Sequence, residues 1–280
     1  MTPFFETVGI NLTAIAADIY CLYLIIILAA SLRVHHRFLY YPPTAIYPRA
    51  SRIMRRVPVP DLGNIGTLIF QILLIVLLLA AIFTDDLLNR FCLAGAIIVY
   101  FGAFSKVEGL ETNRRQTYLI PIYLFIFLMS PSVSSPWNSD GVYWPIWALK
   151  LALCQIYVSA AVQKIRLNGD SWAGQDSFRM HLHRLALFEK LPLAEKLSAY
   201  PVICRLMGRF IIILQSSFWL ILILPWATPI YFVAGLIFHL GTAIFMRIYY
   251  LKYICGAYAI LLLDSLYWWM PAERLGAWFA

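Results

Sequence analysis

Charge is scarce in this 280-residue chain: Asp, Glu, Lys and Arg make up 13% of it, against roughly 25% in an ordinary globular domain. Apolar residues reach 62%. An aqueous globule of this size could not bury so much apolar surface, and a disordered chain needs the opposite composition, so both are excluded. Cysteine is scarce as well. Cys21, Cys92, Cys154, Cys204 and Cys255 are odd in number, lack C-x-x-C spacing and sit mostly inside apolar runs. That excludes a disulfide-stapled secreted module and reads as buried thiols. Signatures of nucleotide and hydrolase chemistry are missing too: there is no G-x-G-x-x-G, P-loop, G-x-S-x-G or H-E-x-x-H. No repeat of 20–50 residues interrupts the pattern, so residues 1–280 read as a single polytopic membrane domain.

What is present is long apolar runs, at about 12–31, 64–83, 87–105, 117–133, 145–163, 210–227, 229–246 and 253–270. A membrane strand alternates apolar and polar residues, which these runs do not, so a barrel is excluded. The expected fold is an all-α integral membrane protein with about eight transmembrane helices. Gly95 and Gly102 make the third run the weakest of these. No Lys or Arg precedes the first run, whereas Arg33, His35, His36 and Arg37 follow it. A signal peptide has the reverse order, so the first run is expected to remain as an anchor. The 164–209 loop mixes Leu, Phe and Met with Arg, Lys and Glu at near-helical spacing. That predicts amphipathic interfacial helices, interrupted at Pro192. The 32–63 loop carries Pro42, Pro43, Pro48, Pro58 and Pro60 and cannot be one helix.

The net charge of +8 comes from 22 basic against 14 acidic residues. Alternate loops collect it: 19 of the 22 basic residues fall on one side of the predicted topology. This is the pattern of cytoplasmic loops, so the excess implies a lipid bilayer and no nucleic acid. A multi-pass protein with both termini on the non-cytoplasmic side satisfies it.

Charge inside the bilayer costs about 2.5–3.5 kcal/mol per group on insertion scales, so each such residue needs a reason. Asp18, Lys150 and Asp264 fall at similar depth in their runs. A Lys150–Asp264 or Lys150–Asp18 pair would be structural, or would serve a proton relay in a proton-coupled transporter. Lys164 ends the fifth run, with Tyr157, Ala160 and Ala161 on its helical face. Gln155, Ser159 and Gln163 form an adjoining polar stripe. Lys164 is read as either a snorkelling boundary lysine or a chemical group. His239 shares a face with Gly235 and Thr242 near the middle of the seventh run. It is either a satisfied core histidine or a functional one. His181 and His183 have no third ligand at suitable spacing, so no metal is expected.

The order of three motifs is distinctive: Tyr157 to Lys164 (YVSAAVQK), Trp172-Ala173-Gly174, and His239-Leu240-Gly241. Together they resemble the HTTM family, whose membrane domain is shared with vitamin K-dependent gamma-carboxylase. The resemblance covers about residues 85–265. It implies that Lys164 and His239 are catalytic and that Tyr157, Gln155, Trp172, Gly174 and Gly241 line a substrate cavity. In the carboxylase the lysine matching Lys164 deprotonates a quinol, and the oxygenated quinol then removes a glutamate gamma-proton. The resemblance therefore implies a quinone-like lipid as cofactor and carboxylase-like or peptide-modifying chemistry. An acid often seen early in the family's sixth span is missing, and Gln215 and Ser216 stand near its place. Short HTTM proteins also include a maturation partner for a secreted peptide, so a non-catalytic scaffold remains a second expectation.

Overall fold

The computed structural model describes residues 11–32, 63–84, 86–104, 119–130, 144–168, 177–246 and 251–269. All regular structure among these residues is helical. Among the described residues, four helical stretches are long and apolar enough to cross a membrane: Leu12–Ala30, Trp144–Arg166, Pro201–Ile223 and Pro225–Phe245. Shorter apolar helices occupy Leu68–Phe83, Leu87–Phe101, Leu119–Met129 and Ile254–Leu266. Each falls on one of the apolar runs read from sequence.

In chain order the elements are α1 (Leu12–Leu32), α2 (Gly63–Phe83), α3 (Asp86–Phe104), α4 (Leu119–Met129) and α5 (Trp144–Asn168). They are followed by α6 (Ser177–Glu189), α7 (Pro192–Ser198), α8 (Pro201–Ser217) and α9 (Leu220–Ile223). A 3₁₀ turn at Pro225–Ala227 then leads into α10 (Thr228–Met246), and α11 is Leu251–Trp269. Helices α2, α3 and α4 pack in sequence order, while α1 touches α2, α4, α5 and α11. Helix α5 lies between α4, α8 and α11, and α10 lies against α11 and α8.

Local chemistry explains the helix limits. The side chain of buried Asn11 caps α1, its Oδ1 accepting from the Thr13 and Ala14 amides at 3.1 Å each. Helix α3 runs straight through Gly95, where a Cβ would lie 3.3 Å from Leu77 of α2. The glycine thus lets two helices approach and does not break one of them. Helix α8 begins at Pro201, earlier than the 210 expected from hydropathy. Proline suits the first helical turn, and exposed Arg205 and Arg209 hide this extension from an apolar scan. Helix α4 is shorter than its 117–133 run, ending at Met129 before Ser130 and Pro131. At the far end of α8 the Ser216 and Ser217 hydroxyls both return to the Ile213 carbonyl, at 3.2 and 2.6 Å. Such back-bonding competes with regular helix, and the chain restarts as α9.

Side chains tie the helices across. Gln71 Nε2 donates to the Leu28 carbonyl at 3.1 Å, joining α2 to α1. Asn89 Nδ2 donates to Ala81 O at 2.5 Å, joining α3 to α2. Tyr123 of α4 donates to Leu149 O of α5 at 3.0 Å. The main apolar core spans α1 to α5 with α8, α9 and α11. A second, smaller core of Phe178, Leu182, Leu185, Leu191, Ala194, Cys204 and Ile211 seats α6 and α7 on α8. Sequence placed two amphipathic segments here, separated at Pro192. The structure forms α6 and α7 with Lys190, at φ 51°, between them.

Candidate functional site

The buried face of α5 is Ile146, Leu149, Lys150, Leu153, Cys154, Tyr157 and Ala161, a stripe of near-perfect helical period. Its two polar members point at the same two neighbours, α10 and α11. The buried positions of α10 are unusual because they are polar or small: Thr228, Gly235, His239 and Thr242. Its large apolar residues, among them Ile230, Val233 and Ile237, face outward. In a soluble helix that distribution would be inverted. Polar groups on an inward face require partners, and three levels of partnership follow along α5.

At the first level, Lys150 Nζ lies 2.7 Å from Asp264 Oδ2 of α11. Thr228 of α10 completes it, its hydroxyl 3.4 Å from Lys150 Nζ and donating to Asp264 Oδ2 at 3.3 Å. Lys150 and Asp264 are 2% and 0% exposed, so each charge depends on the other. Of the two pairings open to Lys150, the structure forms this one. Asp18 stays on α1, half-buried and outside the pair.

Seven residues further along α5, about 10 Å by helical rise, Tyr157 occupies the second level. Its hydroxyl is 2.5 Å from His239 Nε2 of α10 and is also hydrogen-bonded to the Tyr258 hydroxyl of α11. The same three helices are therefore joined twice, once by charge and once by a Tyr–Tyr–His chain. Three features hold the second level. Phe218, in the break between α8 and α9, stacks on the Tyr157 ring at 4.0 Å and 9°. The Phe218 carbonyl accepts from Cys154 Sγ at 3.4 Å. Gly235 leaves the space that the Tyr258 phenol fills, because a Cβ there would overlap it. His239 is 2% exposed, with the rings of Phe238 and Tyr258 edge-on around it.

The third level is Lys164, seven residues beyond Tyr157 and half-buried. Its Nζ donates to Gln215 Oε1 of α8 at 2.8 Å. Gln215 is thus the residue that receives the lysine.

Among the residues singled out by sequence, Tyr157 and His239 meet, and Lys164 lies two turns away. Gln155 is exposed. It sits two residues, about 200°, around α5 from Tyr157 and faces away from these levels. Gly241 is half-exposed, and a Cβ there would meet nothing within 4 Å. Trp172 and Gly174 lie outside the described residues. Sequence reasoning missed Tyr258, Phe218 and Thr228. A tyrosine in the otherwise aliphatic buried stripe Ile254–Tyr258–Leu261 of α11 was the available signal.

No family model, no curated protein and no solved structure matches this chain.

Proposed function

We propose that this chain is an HTTM-like integral membrane protein that crosses the bilayer eight times, with both termini on the non-cytoplasmic side. Four long apolar helices, four shorter ones and the alternating loop charge support the topology. In this reading the protein does acid–base chemistry on a quinone-like lipid, with a peptide as the second substrate. The Tyr157–His239 hydrogen bond is the observation that carries it. Two motifs 82 residues apart, both singled out in sequence, supply the two partners of one buried contact.

Lys164 is the base in this scheme. A lysine removes a proton only when neutral, and Gln215 offers it an acceptor without a counter-charge. The Tyr258–Tyr157–His239 chain holds hydroxyl and imidazole in line, so a proton delivered at one end can be passed along it. The test is turnover of a reduced naphthoquinone by the purified protein in lipid nanodiscs under oxygen. Wild type oxidises it, and Lys164→Ala, inserted normally, does not. An inert wild type that binds no quinone overturns the reading.

One observation favours a second reading. Buried His239 packs against the rings of Tyr157, Phe238 and Tyr258, as in a centre that organises helices and turns nothing over. A scaffold or maturation partner for a membrane peptide would then follow, co-purifying with that peptide and tolerating Lys164→Gln.

A further inference from the structure

Helix α6 has two apolar stripes where one would suffice. Phe178, Leu182 and Leu185 are buried against α7, α8 and α10. On the opposite side Met180 and Leu187, seven residues apart, are 64% and 65% exposed, and Phe188 beside them is 80% exposed. Arg184 lies between the two and places its guanidinium 6.0 Å from the Phe188 ring centre. The surface continues over Lys190, Leu193 and Lys196, all exposed.

Helix α8 fixes the depth of this ledge. Its outward stripe is Val202, Leu206 and Ile213, at 64%, 60% and 63% exposure. Exposed Arg205 and Arg209 lie on the same side. Arginines on a lipid-facing stripe snorkel to the headgroups, so the first turns of α8 sit at that level. The ledge packs directly on those turns. Exposed basic side chains described on α6, α7 and the start of α8 are Arg184, Lys190, Lys196, Arg205 and Arg209, against Glu195 as the exposed acid. Apolar side chains flanked by cations match the boundary between acyl chains and anionic headgroups.

We propose that the outer face of α6 and α7 is a docking surface for anionic phospholipid in the bilayer to which α8 belongs. Met180, Leu187 and Phe188 enter the acyl boundary, and Arg184, Lys190 and Lys196 hold headgroup phosphates. The proposal rests on α8 crossing the membrane but not on any chemistry at Tyr157 or Lys164.

Hydrogen exchange of residues 177–199 tests it, on the full chain in nanodiscs of phosphatidylcholine alone or with phosphatidylglycerol. Insertion into both discs checks the membrane reading separately. Exchange slows in the anionic discs and recovers with added salt. The triple variant Arg184→Gln, Lys190→Gln, Lys196→Gln removes the difference, each cation contributing about five-fold in attachment. Met180→Ser with Leu187→Ser speeds exchange in both lipids. Equal exchange in the two discs overturns the proposal, as does a difference that survives the triple variant. Protection that arises only with an added protein would assign the face to a protein partner instead.

Discussion

Tyr157 and His239 stand 2.5 Å apart with both side chains buried, and Tyr258 shares the same phenolic hydroxyl. One oxygen thus serves two partners on two other helices. Tyr157→Phe keeps the ring stacked on Phe218 and removes only that oxygen. The expected cost is about 1–3 kcal/mol, because buried donors and acceptors lose a partner. Thermal unfolding in detergent measures it. Combined with His239→Leu, the loss should fall short of the sum of the two single losses by 0.5 kcal/mol or more, as for groups in one network.

Gly235→Ala is expected to act on Tyr258 across the interface. The added methyl overlaps the phenol, so the ring moves and its bond to Tyr157 is lost. Overpacking of this kind costs about 1–3 kcal/mol. Gly241→Ala, where the space is open, should leave the melting temperature unchanged and provides the control.

Breaking the Lys150–Asp264 pair on one side leaves the other charge buried. Asp264→Asn or Lys150→Met alone should cost about 3–5 kcal/mol and reduce the amount of folded protein. The double variant Lys150→Met, Asp264→Leu should recover most of that loss, because no charge remains to desolvate. Recovery by the double variant, together with unchanged turnover, would mark the pair as structural. Loss of ion-driven flux in the folded double variant would mark it as a transport element.

Gln215→Glu places a carboxylate where the Gln215 amide oxygen accepts from Lys164. If Lys164 is a base, turnover should fall at least ten-fold, and Gln215→Met should reduce it less. Quinol oxidation in nanodiscs reads both rates.

Tags at the two ends test the topology. Both should be reached by antibody only from the non-cytoplasmic side of sealed vesicles, and a tag inserted after Lys190 only from the other side.

The long helices were legible because each presents a predominantly apolar run, and side chains that oppose the run misplaced two of the ends. Arg205 and Arg209 concealed the start of α8 in this way, and Pro131 shortened α4. Lys150 and Asp264 were legible as residues needing a partner, since intramembrane charge is costly in any fold. The choice of Asp264 over Asp18 was not, because depth along the chain does not say which helices adjoin. Tyr258 was hidden for a related reason. It is one of 17 tyrosines, and its place in an aliphatic stripe of α11 gains meaning only beside the Gly235 gap in α10. Gln155 differs: the resemblance set it in a cavity, whereas on α5 it is exposed, about 200° around from Tyr157.

The pairing of Lys150 with Asp264 also sets a clock. The two residues are 114 positions apart, and ribosomes add about 5–20 residues per second. For roughly 6–23 seconds of every synthesis, α5 holds a cation whose anion at Asp264 has not yet been made. A nascent chain stalled or truncated before α11 keeps that charge unneutralised. Lys150 thereby distinguishes an unfinished molecule from a finished one.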